Sequence, residues 1–327
     1  MVEHRLSVIV PVYNANATLM RCLDSIRDQS FADFEVWLVN DGSTDGSLQI
    51  CERYTVADDR FQVIDQQNGG VSRARNTGLA AATGQCVVFV DADDAVAPRY
   101  FEVLMQYSHC DMVLCSSTTH PTNKPRLFPE QTFTGTEAIA LALQEHMGTG
   151  FANPWGKLYK TEIIKKCGLT FDVSLSVGED TLFVNQYLNH IDSLQFVAYL
   201  GYIYTVGNTT HLSRRAISYP YLIRSLGEIL PSYTALEAKY QVNLRWHKHE
   251  LIQFFLHRCL PSVASGSIRH TARGLKTVCE YPLINDTFYE SRGGNKGKMQ
   301  RLFDCLARHK QYYWLALFTK TVGKGYF

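Results

Sequence analysis

Three carboxylates stand within four residues at Asp91-Ala92-Asp93-Asp94, directly after the apolar run Cys86-Val87-Val88-Phe89-Val90. Charges crowded in this way repel one another, and two readings of the stretch follow. A divalent cation relieves the repulsion, and hard oxygen donors on a short loop suit Mg²⁺ or Mn²⁺. Alternatively, the stretch is an acidic turn in which Asp91 or Asp94 caps the next helix. A second acidic pair, Glu179-Asp180, follows Gly178 and again opens an apolar element, Thr181-Leu182-Phe183-Val184. A helix dipole favours acids at that end.

The elements that must position these acids are readable from their periodicity. An unbroken apolar run rich in β-branched residues, such as Val87 to Val90, predicts a strand buried on both faces of a parallel sheet. Leu6 to Val12 and Phe34 to Val39 predict earlier strands, and Phe61 to Asp65 a third. Between them Leu19, Cys22, Leu23 and Ile26 recur at the spacing of one buried helix face. Ser43, Thr44 and Asp45 are candidate caps for the helix after the second strand, and residues 74–82 predict a helix closed by Gly84. Strand, polar loop and helix thus alternate as in a doubly wound α/β sheet, with each polar loop at a strand's carboxyl end, where such sheets bind ligands. Asp111 to Ser116 predicts a fifth strand and 117–133, with three prolines, a surface excursion. Gln195 to Val206 predicts a strand, and the pattern from about Tyr219 onward is helical. The first turn carries neither Gly-x-Gly-x-x-Gly nor a P-loop, so phosphate binding falls to other groups, with a metal at Asp91 and Asp93 the candidate.

Composition narrows the class further. A chain of 327 residues, 46% hydrophobic, can bury one large core or two ordinary ones. No run reaches the eighteen or so apolar residues of a membrane span, and the start lacks a signal peptide's apolar core. Nine scattered cysteines without a Cys-x-x-Cys pair predict reduced thiols and a cytoplasmic location. The net charge of +1 conceals an acidic front (14 Lys/Arg against 24 Asp/Glu in 1–211) and a basic back (18 against 7 in 212–327). That asymmetry implies two functional parts, the second facing something anionic.

Six stretches in order carry a family resemblance: Ser7 to Asn14, Val39 to Ser47, Gln67 to Gly84, Val88 to Asp94, Asn153 to Lys160 and Gly178 to Phe183. Together they resemble the family 2 inverting glycosyltransferases of GT-A fold, and most of all bacterial enzymes that build capsule, exopolysaccharide or lipopolysaccharide. The resemblance covers the first two thirds of the chain. It implies a GT-A catalytic domain over 1–211, with nucleotide-sugar binding in 1–116 and the acceptor side in 134–211, followed by a helical region over 212–327. It implies a UDP-sugar donor, a saccharide acceptor that is lipid-linked, Mn²⁺ or Mg²⁺ as cofactor, and no nucleic-acid partner.

Carried onto this sequence, the resemblance implies that Pro11, Tyr13 and Asp41 line the nucleobase pocket. Tyr13 would stack, and Asp41, an acceptor-only group, would select the uracil N3 proton; by itself an Asp before Gly42 is equally a turn former. Asn68 and Gly69 would shape the loop at the nucleotide, and Arg75 would contact it. Asp93 would hold the metal, with Asp91 helping with metal or ribose; Asp94 would touch the donor sugar or cap the next helix, the cap being the preferred reading. Asp180 would be the general base of a single displacement, with Glu179 the alternative. Trp155 and Lys157 would wall the sugar site or anchor the core beneath it. The segment Tyr204 to Arg215 departs from the family pattern in register, which leaves His211, Arg214 and Arg215 unassigned.

Two other classes fit less well. A sugar nucleotidyltransferase needs a Gly-rich activating loop after the first strand, where this chain has Pro11-Val12-Tyr13-Asn14. A non-catalytic nucleotide-sugar-binding module has no need of both Asp93 and Asp180. Near the end, Met299, Leu302, Phe303 and Leu306, then Tyr312, Tyr313 and Trp314, stand among several Lys and Arg. That makeup suits a helix lying at an anionic membrane face, or a terminal helix docked on the catalytic domain.

Overall fold

The computed structural model describes residues 5–147, 151–206, 216–263, 267–279 and 311. His211, Arg214, Arg215 and the membrane-helix reading of the stretch after Gly293 lie outside the described residues. The chain divides into two compact units, Met1–Asn208 with Ala235–Val242 and Thr209–Thr234 with Asn243–Phe327.

The first unit opens with strands and helices in strict alternation: β1 (Leu6–Val12), α1 (Leu19–Arg27), β2 (Phe34–Asp41), α2 (Ser47–Ala57), β3 (Phe61–Gln66), α3 (Val71–Ala81) and β4 (Cys86–Phe89). β1 pairs in parallel with both β2 and β4, and β2 with β3. Val87, Val88, Phe89 and Val90 have no exposed surface. Burying each such side chain is worth about 1.5–3 kcal/mol, which is why so short a strand holds the centre of the sheet. On α1, Leu19, Cys22, Leu23 and Ile26 are buried, as their spacing predicts. None of the candidate caps takes the N-cap position of α2, which is Gly46; Asp45, just before it, accepts the Ser47 backbone N–H at 2.9 Å.

Beyond β4 come β5 (Ala95–Val96), α4 (Tyr100–Gln106), β6 (Met112–His120), β7 (Pro125–Arg126), β8 (Gln131–Thr134) and α5 (Thr136–His146). The unit continues with β9 (Lys157–Lys160), α6 (Thr161–Lys166), α7 (Glu179–Leu188) and β10 (Ser193–Thr205). The strand order is β3-β2-β1-β4-β9-β6-β10-β5, with β7 on β6 and β8 on β10. β9 runs antiparallel between β4 and β6, so β6 is again parallel to β4 and ends at the same edge. The excursion expected at 117–133 instead extends β6 and adds the two short strands β7 and β8.

An aromatic cluster underlies that edge. Phe89 meets Tyr159, Phe171 and Phe183 edge to face, and Phe171 stacks on Phe183 with centroids 4.1 Å apart. Asn76 fastens the chain before α7 to α3 by a pair of 2.8 Å bonds to the backbone of Phe171.

The second unit is helical where described. It holds α8 (Tyr219–Tyr240) as far as Thr234, the rest of that helix belonging to the first unit, then α9 (Arg245–Val263) and α10 (Ile268–Cys279). Leu222, Leu226 and Ile229 bury one face of α8 at spacings of four and three, and Ile252, Phe255 and Cys259 do so on α9. Among the described residues no helix is long and apolar enough to cross a membrane.

Candidate active site

The acid-bearing loops meet at the carboxyl edge of β4 around one arginine. Arg75 lies on α3 with its side chain 4% exposed. Its guanidinium donates to Asp180 Oδ1 at 2.6 Å and to Asp91 Oδ1 at 2.9 Å, and Glu179 Oε1 lies 4.0 Å away. The planar group rests over the Phe171 ring at 5.2 Å. Two carboxylates separated by 89 positions in the chain are thus held by the two ends of one rigid fork. The sequence reading placed Arg75 at the nucleotide; here it pairs with the acids.

Burial sets the charge states of the acid pair on α7. Glu179 is buried, and desolvation followed by the Asp180 charge pushes its carboxyl up to about 8, so it is largely protonated at neutral pH. Asp180 is also raised by desolvation, but Arg75 opposes the shift by stabilising the carboxylate. The Asp180 side chain keeps 27% of its surface exposed against 9% for Glu179. Gly178, at φ +90°, makes the left-handed turn that presents both acids at the start of α7.

The loop after β4 is fixed both through its backbone and through the Asp94 carboxylate. Thr18 Oγ1 donates to the Ala92 carbonyl at 3.1 Å, and Arg21 donates to the Asp93 carbonyl and to Thr205 Oγ1. Asp94 is not a helix cap. It is fully buried, accepts from Tyr202 Oη at 2.6 Å and from the Thr205 N–H at 2.7 Å, and so ties the loop to β10. The helix it was expected to cap starts only at Tyr100, preceded by Arg99. Desolvation, then the charges of Asp91 and Asp93, push the Asp94 carboxyl up to about 8. Asp91 and Asp93 remain half-buried on the loop.

Among the described residues no group of three or more His, Cys, Asp or Glu is gathered to hold a metal by protein ligands alone. Mg²⁺ commonly takes one or two carboxylates and completes its shell with waters and substrate phosphates. The hard-oxygen pair Asp91 and Asp93, whose charges push up the buried Asp94 carboxyl, fits that mode.

The remaining predicted residues fall into two groups. Pro11, Tyr13, Asp41, Asn68 and Gly69 gather at the carboxyl ends of β1 and β2 and before α3. Tyr13 is 53% exposed, its ring free to be covered. Asp41 is buried and accepts the Gly69 and Gly70 N–H groups at 2.9 and 2.7 Å and Gln66 Nε2 at 2.7 Å. It therefore shapes the loop that Asn68 and Gly69 were expected to shape, and Gly70, at φ +87°, supplies the turn. On the other side, Trp155 stacks on Tyr202 at 4.5 Å and on Tyr204 at 5.4 Å. Lys157 is 1% exposed, and its ammonium donates to the carbonyls of Asn153 and Trp155. Lys157 thus braces its own loop and has no surface to offer a sugar. Desolvation, reinforced by Arg126, pushes Lys157 down to about 7.

Sequence reasoning passed over Gln66, Arg21 and Tyr202. Tyr202 links Asp91, whose N–H it accepts at 3.2 Å, to Asp94. It stands in an aromatic-rich strand with no motif to mark it. Asn76 carried a signal, since it adjoins Arg75 in a quoted stretch.

The mixed α/β sheet with its acids at the carboxyl edge of β4 has the GT-A architecture. The chain belongs to glycosyl transferase family 2, whose family model matches residues 7–168. It is 30% identical over 298 residues to the putative glycosyltransferase EpsH of Bacillus subtilis, covering 86% of this chain and 85% of that one. To the uncharacterized glycosyltransferase EpsJ of the same organism it is 36% identical over 186 residues, which is 54% of each chain, so the match spans about half of that relative. Its fold is similar to that of Staphylococcus aureus TarS residues 1–349 in complex with UDP-GlcNAc, with TM-score 0.69 at 21% identity, covering 98% of this chain and 92% of that one.

Proposed function

We propose that the chain transfers a sugar from a UDP-sugar to a saccharide acceptor with inversion, by a single metal-assisted displacement. The observation that carries this reading is the Arg75 fork, which holds Asp91 and Asp180 at 2.9 and 2.6 Å. In this reading Asp91 serves the departing diphosphate and Asp180 the incoming hydroxyl, and one guanidinium bonds to both acids. A relative and a structural neighbour point the same way: TarS is described as a poly(ribitol-phosphate) β-N-acetylglucosaminyltransferase, and its structure holds UDP-GlcNAc.

In this reading Tyr13 covers one face of the base beside Pro11, and Asp41 accepts the uracil N3 proton with the acceptor capacity left after its three internal bonds. Asp93 and Asp91 would hold Mg²⁺ or Mn²⁺, which would supply Lewis-acid neutralisation of the leaving nucleoside diphosphate. Asp180 takes the proton of the acceptor hydroxyl as its oxygen attacks the anomeric carbon from the face opposite the departing UDP. Glu179, protonated beside it, adds no further negative charge to the site. Arg75 keeps Asp180 ionised and aimed. Trp155, fixed by its tyrosine stack, offers its remaining surface to a sugar ring. The acceptor in this reading is a lipid-linked precursor of a surface polysaccharide, met at the inner face of the cell membrane.

A donor screen tests the proposal. The full chain is incubated with UDP-glucose, UDP-galactose, UDP-GlcNAc and UDP-GalNAc in Mn²⁺, and UDP release is followed with and without EDTA. Metal-dependent UDP release from one donor is the expected result. Release unaffected by EDTA would remove the metal from the account, and no interaction with any UDP-sugar would overturn the donor class.

A further inference from the structure

The short strand β7 places a second basic residue at the edge of the active site. β10 occupies one side of β6 along Met112 to His120, so β9 and β7 share the other side. Lys157 of β9 pairs with Leu114 and Arg126 of β7 with Ser117, three residues further toward the carboxyl end of β6. At strand rise this is about 10 Å along the edge, in the direction of the loops that carry Asp91 and Asp180. Ser117 is in turn opposite Tyr202, the residue that bonds to both Asp91 and Asp94. Arg126 therefore stands in the cross-strand row of Tyr202, two strands away, above the end of β9.

Its surroundings are unusual for an arginine. Arg126 is exposed to solvent, yet among the described residues it makes no ion pair and no side-chain hydrogen bond. The protein around it desolvates the guanidinium and lowers its pKa. Its charge is felt by Lys157, a like charge whose pKa it depresses. A guanidinium held beside a second cation without a carboxylate is stabilised when an anion arrives, and its fork matches phosphate or carboxylate oxygens.

We propose that Arg126 binds an anionic group, a phosphate or a carboxylate, carried by the saccharide acceptor close to the hydroxyl that is glycosylated. The inference rests on the transferase reading above. The sheet order assigns the anion to the acceptor and not to the donor's diphosphate. The nucleotide residues stand on β1 and β2, whereas β7 lies beyond β4 and β9 on the far side of Asp91. Lys157, next to Arg126, interacts with Asp180, the acceptor-side base, which it helps to keep ionised.

The test is a binding titration on the full chain, with and without saturating UDP and Mg²⁺. Glycerol 1-phosphate and glucuronate serve as anionic probes, and glycerol and glucose as their neutral counterparts. The wild-type chain should bind at least one anionic probe and neither neutral one; which anion binds identifies the group. Arg126→Ala and Arg126→Gln should each weaken that binding tenfold or more, Arg126→Lys less, with the melting temperature and UDP affinity unchanged. Equal binding by Arg126→Ala, or equal binding of neutral and anionic probes, would overturn the proposal. A loss of UDP affinity in Arg126→Ala would overturn it too, by placing the residue on the donor. Failure of the wild-type chain to bind UDP, with Arg126-dependent probe binding intact, would instead sink the transferase reading and leave the anion site standing.

Discussion

Replacing Arg75 by Ala removes the cation on which three acids converge. Its two charge-assisted bonds, at 2.6 and 2.9 Å, join a side chain 4% exposed to carboxylates 27% and 25% exposed. Breaking a buried ionic cluster by deleting one partner costs about 3–5 kcal/mol, because the remaining charges stay desolvated and unpaired. For a unit of this size each kcal/mol moves the melting temperature by about 2–4 °C, which gives a fall of about 6–20 °C. The deficit has a direction with pH. Without Arg75, which lowers both, the folded-state pKa values of Glu179 and Asp180 rise, so the variant binds protons more readily than its unfolded chain. Its stability is then least impaired below the unfolded carboxylate range and falls further behind wild type as pH rises through neutrality. Thermal denaturation at pH 5 and pH 8 reads both quantities. Arg75→Lys restores a charge but cannot bridge two carboxylates, so it should recover part of the stability and little of the activity. A loss of melting temperature that is the same at both pH values would refute the electrostatic origin of Arg75's role.

Three further outcomes follow from the same geometry. Tyr202→Phe deletes the donor to buried Asp94 and should cost about 1–3 kcal/mol in chemical denaturation; a neutral effect would show that Asp94 is satisfied in another way. Glu179, raised to about 8, makes wild-type stability decline as pH climbs from the ordinary carboxylate range toward 8. Glu179→Gln should flatten that decline while leaving stability at pH 5 unchanged, and an unaltered pH profile would contradict the assignment. Asp41→Asn can no longer accept at every lone pair, so it should weaken UDP binding and loosen its preference over CDP; equal binding of UDP and CDP by the unmodified chain would show that Asp41 does not read the base.

Much of the first half was legible because its information is local. The spacing on α1 and the apolar run of β4 each state their own burial, and the alternation of elements puts polar loops at one edge. What stayed hidden depends on partners distant in sequence. Nothing around Lys157 to Lys160 says that these residues form an antiparallel strand between β4 and β6, since a four-residue run has too little periodicity to declare a direction. Asp94 reads as a cap because Asp is a good cap, and its true partners, Tyr202 and Thr205, lie 108 and 111 positions away. Lys157 shows the same limit. Beside Trp155 a lysine reads as a wall of the sugar site or as an anchor beneath it, and the fold takes the second, its ammonium turned inward to its own loop's carbonyls. The candidate acids and Arg75 were legible as site residues, but the pairing of that guanidinium with Asp180 and Asp91, 105 and 16 positions away, was not.

The central claim is that Asp180 is the base of a transfer whose donor site is independent of it. Single-turnover transfer by Asp180→Asn, measured beside UDP-sugar affinity on the same preparation, tests this most directly. The account predicts a fall of roughly 10²–10⁴-fold in transfer with donor affinity nearly unchanged. Near wild-type transfer by Asp180→Asn would contradict it.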